Sequence, residues 1–126
     1  MLRCMNPSRI WIALGALNGL LAVAGAAFAA HASVDPARLR ALGSAVQMQG
    51  WHALALLAVG LWGANGGWLT HGAGAAFTLG ILLFCSAVWV PLWGGPSLGM
   101  TAPVGGTLLM LGWAVLGVSA FYAPGR

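Results

Sequence analysis

Charge is what this sequence has least of. It contains no Lys and no Glu, its one acid is Asp35, and its five arginines stand at positions 3, 9, 38, 40 and 126. The 85 positions from Ala41 to Gly125 hold no Asp, Glu, Lys or Arg at all. A soluble domain is about 25% charged, so a stretch of that length in water would carry roughly twenty charges. A small soluble fold leaves much of its surface wet and needs charge there. Hydrocarbon is the medium that accepts this composition: a charge at mid-span costs about 3 kcal/mol there, and apolar side chains cost nothing. The chain therefore reads as an integral membrane protein, in keeping with its 60% hydrophobic residues and a mean hydropathy of +0.91.

The same scarcity excludes chemistry. One acid cannot supply paired carboxylates, and a Ser-His-Asp arrangement would have to take Asp35 from a helix-capping position. Without Lys there is no glycine-rich phosphate loop closed by that residue. The net charge of +4 comes from few, scattered arginines with no aromatic-interleaved basic stripe, so nucleic acid is not an expected partner. The two cysteines, Cys4 before the first apolar run and Cys85 inside the third, fall in different environments and are not expected to pair. No enzyme activity and no cofactor are expected.

What is present is apolar and small. Spans need about 20 residues each, and four runs qualify, at about 10–31, 44–62, 70–90 and 102–122, with a mildly amphipathic interfacial extension at about 36–44. This predicts an all-α, integral membrane four-helix antiparallel bundle with short loops, forming one domain over residues 1–126. Ser8 after Asn6-Pro7, Asp35 before Pro36, and Thr101 before Pro103 are capping signals. Gly60, Gly63, Asn65, Gly66 and Gly67 mark a turn between the second and third spans, and Pro91 ends the third. The first run also imitates a secretory signal with Ala27-Phe28-Ala29 as the cleavage site, but it exceeds the usual core of about 7–15 residues, which favours retention. The pentapeptide Ala-Gly-Ala-Ala-Phe at 24–28 recurs at 73–77, a coincidence to be expected in so Ala- and Gly-rich a chain.

In an up-down-up-down bundle, His31, Gln49, His52, Cys85, Ser86 and Thr101 fall in the same half. Gln49 and His52 are three apart and so share a helix face. Polar groups inside a bilayer are functional candidates, because hydrocarbon offers them no partners; His31, Gln49, His52 and Thr101 are therefore the candidate polar site. A polar pocket around His31, Gln49 and His52 that binds or transports a small solute or proton is the alternative to a structural role; His31, His52 and Cys85 could also supply donors to a transition metal or haem, yet no ligand-spacing motif or second-shell carboxylate accompanies them, and no metal site is expected. His71, on the other side, reads as interfacial. Gly15, Asn18, Gly19 and Gly25 form one small-residue ridge and Gly72, Ala76 and Gly80 another; with Pro103, Gly105 and Gly106 they are the expected helix-packing positions, suited to association within the chain, with a second copy, or with other membrane proteins. The seven tryptophans fall mostly near span ends, as in an aromatic belt.

Four segments together resemble a family of small membrane proteins known as domain-of-unknown-function 423, which includes bacterial inner-membrane proteins and the eukaryotic transmembrane protein 256. They are Gly25-Ala26-Ala27-Phe28-Ala29-Ala30-His31, Gln49-Gly50-Trp51-His52-Ala53-Leu54-Ala55-Leu56, Leu83-Phe84-Cys85-Ser86, and Thr101-Ala102-Pro103-Val104-Gly105-Gly106 with Gly112-Trp113. The resemblance implies four spans with the first retained, and it marks His31, Gln49, His52, Pro103, Gly105 and Gly106. This chain departs from the pattern at Cys85-Ser86-Ala87 and at Trp89, where the family tends to Ser-Gly-Ser and Tyr. The resemblance implies a multi-pass protein of the bacterial inner membrane, with the lipid bilayer as its first partner, and it supplies no activity.

Overall fold

The structure, a computed structural model, describes residues 6–122. Cys4, Arg3 and Arg126, among the residues weighed above, lie outside that range. Within it the chain is all helical: α1 spans Pro7–His31, α2 spans Pro36–Leu92 and α3 spans Thr101–Ser119. Each is long and apolar enough to cross a membrane.

Four separate helices are thus corrected to three. The second and third expected spans run together as the 57-residue α2, and the glycine-rich stretch at 60–67 is helical except at one residue, Gly67, with φ 67° and ψ −157°. The chain keeps its helical ladder through Gly63, Asn65 and Gly66 and breaks it only at Gly67, where a residue without Cβ permits. That backbone region is almost confined to glycine.

A straight helix of this length would measure about 85 Å, against a hydrocarbon core of about 30 Å. Contacts between its halves show that α2 instead doubles back. The Cys85 thiol donates to the Ala45 carbonyl at 3.6 Å, the His52 and Phe77 rings lie 5.5 Å apart, and a Cβ on Gly63 would stand 3.1 Å from the His71 ring. The first arm (36–66) and second arm (68–92) are therefore antiparallel neighbours. The core lies between them, built around Ala45, Leu56, Val59, Ala73, Phe77 and Ile81, with Leu109 contributed by α3.

The hairpin is flanked by α1 on one side and α3 on the other, and the backbones of α1 and α3 do not approach each other. The glycines explain how closely the layers fit. A Cβ on Gly15 would fall 2.9 Å from the Ala53 carbonyl, and one on Gly25 3.0 Å from Val46; Gly19 faces Ala53 more loosely, at 3.9 Å. On the far side Gly80 and Gly105 meet backbone to backbone, each Cβ position within 3.0 Å of the other's carbonyl. The second ridge does not face one neighbour: Gly80 is buried against α3, Ala76 is half-buried, and Gly72 is open. Gly106 and exposed Pro103 also lie outside the packed face, Pro103 accepting a bond from the Thr107 hydroxyl at 2.9 Å.

Helix starts differ in detail from the sequence reading. Asp35 caps α2 by accepting from the Arg38 N–H at 3.0 Å, but α1 is capped by Asn6 rather than Ser8, accepting from the Ser8 N–H at 3.1 Å. Thr101 donates to the Leu98 carbonyl at 2.6 Å and is already the first residue of α3, which has no side-chain cap. Pro91 stays within α2, which ends one residue later, and α3 stops at Ser119 rather than near Tyr122. Outward surfaces are apolar, with Val23 71% and Leu61 75% exposed. Lipid is the solvent such a surface suits.

Candidate functional site

The candidate polar residues are separated by the layered arrangement. His31, at the last turn of α1, is exposed, while Thr101 begins α3 on the opposite side of the hairpin. Gln49 and His52 are both buried, at 8% and 3% exposure, and occupy neighbouring positions on the first arm. Three residues of a helix leave them about 60° apart around its axis, enough to send one toward α1 and the other toward α3.

His52 is held at both ring nitrogens. Nδ1 lies 2.6 Å from the Met48 carbonyl, and the Trp113 indole N–H donates to Nε2 at 3.0 Å. An indole nitrogen only donates and a carbonyl only accepts, so the two bonds together fix a neutral imidazole with its proton on Nδ1. The ring also packs against Phe77 and Trp113, with centroids 5.5 and 5.9 Å away, and those two rings lie 5.2 Å from each other. Aromatic contacts of this kind add about 0.5–1.5 kcal/mol each beyond simple burial. His52 is a joint between the hairpin and α3.

Gln49 makes the corresponding joint on the other side. Its Nε2 donates to Asn18 Oδ1 at 3.1 Å, and Asn18 Nδ2 donates to the Leu14 carbonyl one turn back along α1 at 2.8 Å. Gln49 also borders a cleft between α1 and the second arm, where Leu21, Phe28, Cys85, Trp89 and Trp93 form most of the wall; its volume is about 400 Å³. Cys85 therefore lies toward α1 and His52 toward α3, and His31 lines neither place. Among the described residues no three His, Cys, Asp or Glu side chains are positioned to share a metal ion.

Tryptophan was the signal that the sequence reading assigned to the membrane interface alone. Besides Trp113, the Trp11 indole N–H donates to His71 Nδ1 at 2.8 Å, with the two rings stacked, and Trp62 donates to the Ser119 hydroxyl at 3.3 Å. His71, expected at the interface, is thus half-buried and bound to α1. Three of the seven tryptophans tie one segment to another. The pairing could not be read in advance, because the partners are about 60 positions apart along the chain. Among the described residues the Thr70 hydroxyl, beside the Gly67 reversal, is the one fully buried side-chain oxygen without a hydrogen bond.

The family described as "Protein of unknown function (DUF423)" matches residues 25–106, from the end of α1 to the Gly105-Gly106 step of α3. A UPF0382 membrane protein of Staphylococcus aureus (strain bovine RF122 / ET3-1) is 31% identical over 121 residues, covering 93% of this chain and 99% of its own length. A UPF0382 membrane protein of Haemophilus influenzae is 30% identical over 115 residues, covering 88% of this chain and 93% of its own. No solved structure matches. With more than half of its length matched and full-length relatives named as membrane proteins, the chain belongs to the DUF423 family of multi-pass membrane proteins.

Proposed function

We propose that this protein is a non-enzymatic accessory or structural component of the bacterial inner membrane, in which three helices make four crossings because α2 traverses the bilayer twice. The observation that carries this reading is the use made of the polar side chains in the apolar segments. Asn18 with Gln49, His52 with Trp113, Trp11 with His71, and Trp62 with Ser119 are tied between segments. Groups engaged in this way hold helices in register. Inner-membrane residence is supported by helical spans, since outer-membrane proteins cross as β-barrels.

Such a component acts through its outer faces. On α3, Gly106, Met110 and Gly117 fall on one helix face, and a Cβ added at Gly106 or Gly117 would meet nothing within 4 Å. Small residues on an open helix face allow a second transmembrane helix to come close, which supports association with another copy or with other membrane proteins. Crosslinking in native membranes, followed by mass spectrometry, should trap a reproducible homo-oligomer or partner at this face; recovery of monomer alone would refute the reading. The alternative of a solute or proton site around His31, Gln49 and His52 keeps support only at Gln49.

A further inference from the structure

The cleft between α1 and the second arm is pinned at both ends. Trp11 covers Gly74 at one end, and Phe28 packs against Trp89 and Trp93 at the other, with centroids 5.7 and 5.5 Å away. Between these plugs two adjoining pockets of about 400 and 380 Å³ share Leu21, Gln49, Cys85 and Trp89 and open sideways. Volumes of this size fall in the range of roughly 300–1,000 Å³ typical of small-molecule sites.

The orientation of Gln49 follows from its neighbours. A backbone carbonyl only accepts, so the Asn18 atom facing Leu14 is its amide nitrogen, and Asn18 Oδ1 faces Gln49. That oxygen can be met only by a donor, which assigns Nε2 of Gln49 to the contact and leaves Oε1 on the other branch of an amide that borders both pockets. Among the described residues nothing donates to Oε1, and Nε2 carries a second N–H beyond the one given to Asn18. Of the other polar side chains bordering the two pockets, Thr78 donates to the Gly74 carbonyl, Ser86 to the Leu82 carbonyl and Cys85 to the Ala45 carbonyl, while the indole N–H groups of Trp89 and Trp93 make no hydrogen bond among the described residues. Gln49 thus offers a free acceptor and a free donor side by side on one buried amide.

We propose that this cleft binds an acyclic long-chain alcohol from the lipid phase. Its hydroxyl donates to Gln49 Oε1 and accepts from the second Nε2–H, so one small group meets both needs. Ketones, esters and ethers only accept and leave Oε1 unmet. A carboxylate or ammonium would need a countercharge, and residues 41–125 have none. The hydrocarbon tail lies along Leu21 and Trp89, between helices that touch at both ends, a shape that suits a slender chain over a broad ring.

The test uses the full chain in phosphatidylcholine vesicles, photolabelled with a diazirine-bearing hexadecanol and competed with hexadecanol, its methyl ether, or a quinol of similar apolar size. Labelling is expected to be saturable and to map to α1 and the second arm. The ether, which lacks the donor, should compete about tenfold more weakly, and Gln49→Leu should weaken labelling to a similar extent. Because that variant also loses the Asn18 bond, Ala24→Phe provides an independent arm: Ala24 borders the cleft from its exposed rim, so the larger ring blocks entry and abolishes saturable labelling while helical content is unchanged. Labelling that never saturates means bulk lipid only, equal competition by alcohol and ether means apolar filling with water at Gln49, and stronger competition by the quinol means a different ligand class. Each of these outcomes overturns the proposal, and none touches the crosslinking result at α3.

Discussion

Gly105 and Gly106 are adjacent, equally small, and should respond in opposite directions to the same added methyl group. In α3 successive residues are turned by about 100°, which buries Gly105 against the second arm and leaves Gly106 with nothing within 4 Å. A Cβ at position 105 would stand 2.6 Å from the Phe84 backbone nitrogen, 2.8 Å from the Gly80 carbonyl oxygen and 3.1 Å from Leu83 Cβ. Carbon contacts are optimal at roughly 3.5–4.0 Å, so α3 would have to retreat by about 1 Å at this point. Two of the three obstructing atoms are backbone and cannot swing aside. Overpacking of this kind costs about 1–3 kcal/mol, against a gain of at most ~1 kcal/mol from the better helix propensity of alanine. Gly105→Ala is therefore expected to destabilise by ~1–2 kcal/mol, whereas Gly106→Ala, which keeps the propensity gain without the clash, should be neutral or stabilising by up to ~1 kcal/mol. Reversible unfolding in mixed micelles, followed by circular dichroism as the fraction of denaturing detergent rises, measures both. Equal responses, or a larger loss at Gly106, would refute the close approach of α3 to the hairpin.

The reversal of α2 should depend on Gly67: alanine there costs about 1–3 kcal/mol in that backbone region. With Cys4→Ser in place, Ala45→Cys should form an intramolecular disulfide with Cys85 on oxidation, since the Cys85 sulfur lies 3.6 Å from the Ala45 carbonyl. Adding Gly67→Ala should lower the yield, and failure of the parent pair to crosslink would argue against the hairpin. Trp113→Phe keeps the ring but strands buried Nε2 of His52, for an expected loss of about 1–3 kcal/mol. His31→Ala, at an exposed helix end, should stay within about 0.5 kcal/mol; the opposite ranking in the same unfolding assay would overturn the structural role assigned to His52.

Much of the fold was legible because it answers to the solvent. The missing charges over residues 41–125 announce hydrocarbon, and Pro36 after Asp35 marks a helix start through the geometry of a ring without an N–H. The glycine cluster predicts a turn between two separate helices, whereas the structure runs them together as α2. Within that cluster Gly63 and Gly66 stay helical and serve close packing, leaving Gly67 as the single break. At the candidate site the spacing of Gln49 and His52 predicts one shared helix face, yet α1 and α3 lie on opposite sides of the first arm and divide the pair.

Composition and local periodicity, acting residue by residue, determined the medium, the helical state and the segments that enter it, because transfer energies and backbone hydrogen bonding require no knowledge of distant neighbours. Which tryptophan meets which histidine, where Gln49 turns its free oxygen, and whether His31 reaches His52 were decided by how the doubled α2 separates α1 from α3. Those outcomes depend on contacts between positions tens of residues apart, which no local pattern encodes.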